Sequence, residues 1–154
     1  MSGPVSAAPV RVRYAETDQM GFAYYANYLA WFEVGRCEWL RGRGWSYRDL
    51  EVRDAIMLPV IEAHCEYRQP ARYDDELLIR ARGELASPVR IRFSYEVVRA
   101  ADGAVLAAGH TEHASTDLAG RPKRLPARVR ALFAPSSRRG PADPPGPRGA
   151  GVIE

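Results

Sequence analysis

The dominant hydrophobic period of this chain changes near residue 60, and that change restricts the folds open to it. Upstream, the one long regular pattern is helical, from about Tyr25 or Asn27 to Arg41 or Arg43, with Gly42 and Gly44 as its stop. Tyr28, Leu29, Trp31, Phe32, Val34, Gly35, Trp39 and Leu40 spread apolar surface around most of that helix, so it must be covered on several sides. From Val60 onward the period is two. Ile61, Ala63, Cys65 and Tyr67 share one face of a strand Val60 to Gln69, opposite Glu62, His64, Glu66 and Arg68. Leu77, Ile79, Ala81, Gly83 and Leu85 share a face of Glu76 to Leu85, and Val89, Ile91, Phe93, Tyr95 and Val97 share one of Val89 to Ala100. A further strand, Ala104 to Thr116, follows the hairpin signal Ala101-Asp102-Gly103. Strands with one apolar and one mixed face form an antiparallel sheet covered on one side. One buried helix and such a sheet predict an α+β fold in which the sheet wraps around one long central helix.

The remaining segments fit around this unit. Val10 to Tyr14 reads as a brief strand, Ser46 to Arg53 as a short helical or irregular stretch with Ser46 as N-cap, and Leu125 to Phe133 as a closing helix with Pro126 in its first turn. A length of 154 residues at 46% hydrophobic suits one domain, here residues 10–134, after a flexible N-terminus, residues 1–9. Residues 135–154 are rich in Pro, Gly and Arg without apolar periodicity, which predicts disorder. The net charge of +3 owes much to Arg138, Arg139 and Arg148 in that tail, and elsewhere arginine alternates with glutamate along the strands. That pattern predicts a solvated face and no nucleic-acid partner. No apolar run approaches the roughly 20 residues of a membrane span, and residues 1–9 lack the plan of a signal peptide, so a cytoplasmic protein without membrane insertion is expected. Cys37 and Cys65 read as reduced core thiols. His64, His110 and His113 are expected at surface or inter-subunit positions on strands, with no metal site. Glu33 and Arg36, three apart on the helix, are spaced to pair.

Chemistry concentrates just ahead of the central helix. Asp18 precedes a helix start, and an ionised carboxylate beside the unpaired N–H groups of a first helical turn can activate water or attack a carbonyl whose oxygen those donors hold. Glu16 is the competing carboxylate, carried on the same side if the loop is extended. Gly21 permits a tight turn and close approach of a ligand. Asn27 is placed to cap the helix or orient the loop. Tyr24, Tyr28, Trp31 and Phe32 are candidates for the lining of a ligand tunnel or for the core.

The run Glu16-Thr17-Asp18, Met20-Gly21, Tyr25-Ala26-Asn27-Tyr28, Trp31-Phe32-Glu33 and Arg36, followed by Tyr67-Arg68-Gln69-Pro70-Ala71-Arg72-Tyr73-Asp74-Asp75, resembles the hotdog-fold acyl-CoA thioesterases. The match, from about Val10 to Phe133, is nearest to the 4-hydroxybenzoyl-CoA thioesterase family with its Tol-Pal-associated bacterial branch. The resemblance implies that Asp18 is the nucleophile or general base and that the backbone N–H at Tyr25 polarises the thioester carbonyl. It implies coenzyme A contacts from Ser87 and Arg90, with Arg92, Lys123 and Arg124 as weaker candidates. It also implies no cofactor and a homotetramer of paired dimers, or failing that a dimer. Non-hydrolytic acyl-CoA binding, hydrolysis of acyl groups on acyl carrier protein, and a histidine-dependent dehydratase are the alternatives; the last has no histidine in the loop or on the central helix.

Overall fold

The computed structural model describes residues 4–133. Five strands, β1 (Ser6–Arg11), β2 (Val60–Tyr67), β3 (Glu76–Ser87), β4 (Arg90–Arg99) and β5 (Val105–Ala114), form one antiparallel sheet in the order β1-β3-β4-β5-β2. The long helix α1 (Asn27–Gly42) lies on its inner face; α2 (Tyr47–Asp54) follows, and α3 (Ala127–Arg130) closes the domain with a 3-10 turn, Ala131–Phe133. Period-two alternation sets the core. Leu77, Ile79, Ala81, Ile91, Phe93, Tyr95 and Val97 are all fully buried beneath Trp31, Phe32, Trp39 and Leu40 of α1. Phe32 stacks on Tyr95 with ring centroids 4.3 Å apart and planes 4° from parallel. On the outer face the alternating charges pair across and along strands, Arg80 with Glu96 at 3.0 Å and Arg92 with Glu112 at 3.5 Å. Ser46 caps α2 as expected, accepting from the Asp49 N–H at 3.1 Å.

Several expectations need correction. Residues 6–9, expected in a flexible N-terminus, belong to β1, with Ser6 opposite Ala81 and Arg11 opposite Glu76. Small residues and Pro9 hide this strand from pattern reading, and the proline is tolerated because β1 is an edge strand. The chain leaves β1 at Arg11, so the expected Val10 to Tyr14 strand ends early and Tyr14–Glu16 is a 3-10 turn. Pro126 is the N-cap of α3, one position before its first turn. The apolar face of β2, the other edge strand, is covered only in part within one chain: Cys65 packs against the core and Tyr67 against Tyr28, but seven of its eight residues are exposed. The tail, residues 135–154, lies outside the described residues.

The histidines also differ from expectation. His64 is exposed, but His110 and His113 are buried. His113 sits 3.0 Å by its Nδ1 from the Leu58 carbonyl oxygen and 2.8 Å by its Nε2 from Thr111 Oγ1, which lies 2.6 Å from the Tyr95 hydroxyl. A carbonyl only accepts, so Nδ1 carries the proton, Nε2 accepts from Thr111, and Thr111 in turn accepts from Tyr95. The Arg36 guanidinium faces the Tyr95 and Tyr47 hydroxyls from α1, so it turns inward and forms no ion pair with Glu33 among the described residues. Burial pushes the His113 pKa down to about 4, against the raising effect of the Leu58 carbonyl and with the nearby Arg36 charge acting in the same direction as burial. The unfolded chain therefore binds a proton between pH 6.5 and about 4 that the folded chain does not, so stability falls as pH falls through that window. A loss of about 2–3 kcal/mol between pH 7.5 and 4.5 is expected in urea unfolding. That slope should flatten in His113→Gln; an unchanged slope would assign the acid sensitivity to other groups.

Candidate active site

Six residues after β1, the loop 17–23 folds into a miniature hairpin. Thr17 bridges Ala23, the Asp18 N–H donates to the Phe22 carbonyl at 3.0 Å, and the Gly21 N–H donates to the Asp18 carbonyl at 3.0 Å. Gly21 has φ +85°, a left-handed conformation that any side chain would strain. Asp18 stabilises its own turn, because Oδ1 accepts from the Met20 N–H at 2.9 Å. Its second oxygen, Oδ2, accepts no hydrogen bond among the described residues.

Glu16 holds this hairpin against the helix. It is 8% exposed; Oε1 accepts from the Arg13 N–H at 2.8 Å and Oε2 from the Trp31 indole at 3.2 Å. Burial alone would raise its pKa, but the hydrogen bonds from Arg13 and Trp31 outweigh that and hold the carboxylate below its usual range. Glu16 is thus committed to structure and does not line the cavity beside Asp18, contrary to its expected role as competing carboxylate. The 3-10 turn is the reason, since it rotates Glu16 inward where an extended chain would have aligned it with Asp18. The Glu16 carbonyl accepts from the Tyr24 N–H and from Asn27 Nδ2, both at 2.8 Å. Asn27 is the first residue of α1, and it orients the loop; Ala26 is the N-cap and has no side-chain cap bond.

The approach to α1 is a turn in which the Asn27 N–H donates to the Tyr24 carbonyl at 3.0 Å. The N–H groups of Tyr25 and Ala26, in the middle of that turn, have no acceptor among the described residues. Asp18 and Tyr25 line one cavity of about 490 Å³, whose wall also includes Tyr24, Tyr28, Tyr67 and Arg68. Trp31 and Phe32 are core residues and do not line it. Tyr67 and Arg68, on the far wall, were not singled out from the sequence, although they begin the second motif. The loop is fastened to that wall by the Ala23 N–H on the Ala71 carbonyl at 2.8 Å and by Arg72 Nη1 on the Gly21 carbonyl at 3.3 Å.

Ser87 and Arg90 stand at the other end of the sheet. Arg90 is opposite Ala114, whereas the cavity end of β4 is near Val97, opposite Ala107 and through it Tyr67. Seven residues of strand separate the two ends, roughly 23 Å. Ser87 accepts from the Val89 N–H at 3.2 Å, and Lys123 donates to the Asp54 carbonyl at 2.8 Å. Within one chain neither group is brought to Asp18.

This loop, turn and sheet have relatives. The model of the thioesterase-like superfamily matches residues 12–133, taking in the Asp18 hairpin, α1 and β2 to β5. The chain belongs to the thioesterase-like superfamily. It is 41% identical over 75 residues to the putative acyl-CoA thioesterase YneP of Bacillus subtilis, a match spanning 49% of this chain and 54% of that protein. It is 35% identical over 92 residues to the acyl-CoA thioester hydrolase YbgC of Escherichia coli O157:H7, covering 60% of this chain and 68% of YbgC. A crystal structure of DHNA-CoA thioesterase from Staphylococcus aureus superposes with a TM-score of 0.73 at 32% identity, over 79% of this chain and 80% of that one. The fold of this thioesterase-like protein is accordingly the hotdog, an antiparallel sheet wrapped around α1. Among its described residues no helix is long and apolar enough to cross a membrane.

Proposed function

We propose that this chain hydrolyses acyl-CoA thioesters to a carboxylic acid and free coenzyme A, in the manner of the 4-hydroxybenzoyl-CoA thioesterases and their Tol-Pal-associated relatives. One observation carries the reading: Asp18, with one carboxylate oxygen that accepts no hydrogen bond among the described residues, and Tyr25, whose N–H has no acceptor among them, line the same aromatic cavity. The Tyr25 N–H holds the thioester oxygen as negative charge develops on it. Asp18 either attacks the carbonyl carbon, expelling the thiolate and leaving a mixed anhydride that water cleaves, or takes a proton from water that attacks directly. In both routes the thiolate leaves as the thiol after gaining a proton. A single turnover in heavy-oxygen water separates them, because label in Asp18 requires the covalent route. No cofactor takes part, and the cytoplasm, where acyl-CoA is made, is the proposed location.

The cavity is open on one side. Met20 is 70% and Tyr25 61% exposed, and β2 presents an unpaired edge with Val60 and Ile61 uncovered. These features support a second copy paired through β2 and a homotetramer built from two such dimers. An antiparallel partner would turn its Ser87 and Arg90 end towards this cavity, where Arg90 meets the phosphates of coenzyme A. Light scattering at micromolar concentration is expected to return a tetramer, or at least a dimer; a monomer would contradict the arrangement. Thiol release from aromatic, short and long acyl-CoAs tests the activity, and acyl-CoA binding without release would favour a sensor.

A further inference from the structure

We propose that Tyr67 is a positioning residue for the thioester step, its hydroxyl holding the Tyr25–Ala26 peptide of the turn that presents the carbonyl-polarising donor. This rests on the reading of Tyr25 given above. Tyr67 is the last residue of β2, 42 positions away in sequence, and its hydroxyl donates to the Tyr25 carbonyl at 2.9 Å. Its ring stands at 84° to both the Tyr25 and Tyr28 rings, with centroids 6.2 and 4.9 Å away, so the hydroxyl is aimed by two aromatic contacts. The turn needs such help. Ala26, the N-cap, offers no side-chain bond, and the first bonds of α1 are long, Tyr28 N–H to Tyr25 and Leu29 N–H to Ala26 both at 3.3 Å.

Rotation of the Tyr25–Ala26 peptide plane changes ψ of Tyr25 and φ of Ala26, and so swings the Ala26 N–H directly and moves the Tyr25 N–H, on the preceding peptide, only by distorting the turn. A donor on the Tyr25 carbonyl opposes that rotation; the amide it polarises is the one bearing the Ala26 N–H, while the Tyr25 N–H, on the preceding peptide, is held through the geometry of the turn. Burial raises the Tyr67 pKa well above its ordinary value, so the hydroxyl stays protonated and able to donate throughout the working pH range. Tyr67 does not touch the reacting atoms in this account; it acts through the backbone of Tyr25.

Tyr67→Phe keeps the ring and removes only the hydroxyl. With benzoyl-CoA and hexanoyl-CoA, kcat is expected to fall about 3- to 10-fold, the loss of one neutral hydrogen bond, while KM changes by less than about twofold. The amide resonance of Ala26 should shift in the nitrogen–proton spectrum of the variant, and the melting temperature should stay within about 2 °C. Tyr67→Leu, which removes the wall as well, should raise KM in addition. Unchanged kcat in Tyr67→Phe, a change confined to KM, or an unmoved Ala26 resonance would reduce Tyr67 to a wall residue and overturn the proposal. Asp18→Asn separates the two levels. If it is inactive while Tyr67→Phe is unaltered, only the Tyr67 role fails; if it stays active, the reading of the site fails first.

Discussion

Asp18→Asn is expected to lower kcat by about 10²- to 10⁴-fold without altering the fold, the range associated with removing a positioned base or nucleophile. The substitution is nearly isosteric, and the Asn side-chain oxygen can still accept the Met20 N–H that Asp18 Oδ1 accepts at 2.9 Å. The hairpin also keeps its backbone bonds from Asp18 to Phe22 and from Gly21 to Asp18. Loss of turnover would therefore report on the carboxylate itself. Thiol release from the acyl-CoA panel, with circular dichroism as a control, measures it. Survival of more than about a tenth of the activity would move the chemistry away from this loop, because Glu16 is a poor replacement. Both of its oxygens are engaged, by Arg13 and Trp31, in a site closed to solvent.

The largest effect on stability is expected at Gly109→Ala, which should cost more than about 3 kcal/mol and show first as loss of soluble protein. A Cβ at this position would lie 2.2 Å from the His64 carbonyl oxygen and 2.7 Å from the Phe32 ring. Neither neighbour can yield cheaply. The His64 carbonyl belongs to β2 beside the Cys65–Gly109 pairing, and Phe32 is clamped in its parallel stack with Tyr95. Relief would part β2 from β5 or lift α1 from the sheet. Urea unfolding checks the prediction, and a variant within 1 kcal/mol of the parent would show that β2 moves more freely than its pairing implies. Such movement would matter for function, since β2 carries Tyr67 into the cavity wall.

The elements that read clearly from sequence are those whose burial repeats along the chain. In β3 and β4 every second side chain meets the same core, so Leu77, Ile79, Ile91, Phe93, Tyr95 and Val97 announce their face. The Asp18 hairpin is legible for a different reason. Its Asp, Gly and aromatic residues are close in sequence because the turn and the helix start are local structures. β1 escaped because Ser6, Ala7, Ala8 and Pro9 carry almost no hydrophobic contrast, and its strand state comes from pairing with β3 some 70 residues later. Glu16 escaped because one 3-10 turn was enough to reverse its direction.

Local propensity and periodicity thus determined α1, the strands β2 to β5, the inner faces of β3 and β4 and the loop that carries Asp18, since each depends on residues a few positions apart. Tertiary structure alone decided the strand order that leaves β2 at an edge, the burial of His110 and His113, the inward turn of Arg36, and the meeting of Tyr67 with the Tyr25 carbonyl. These are contacts between segments separated by tens of residues. Their free energy depends on how the whole sheet packs around α1, and no short window of sequence contains both partners.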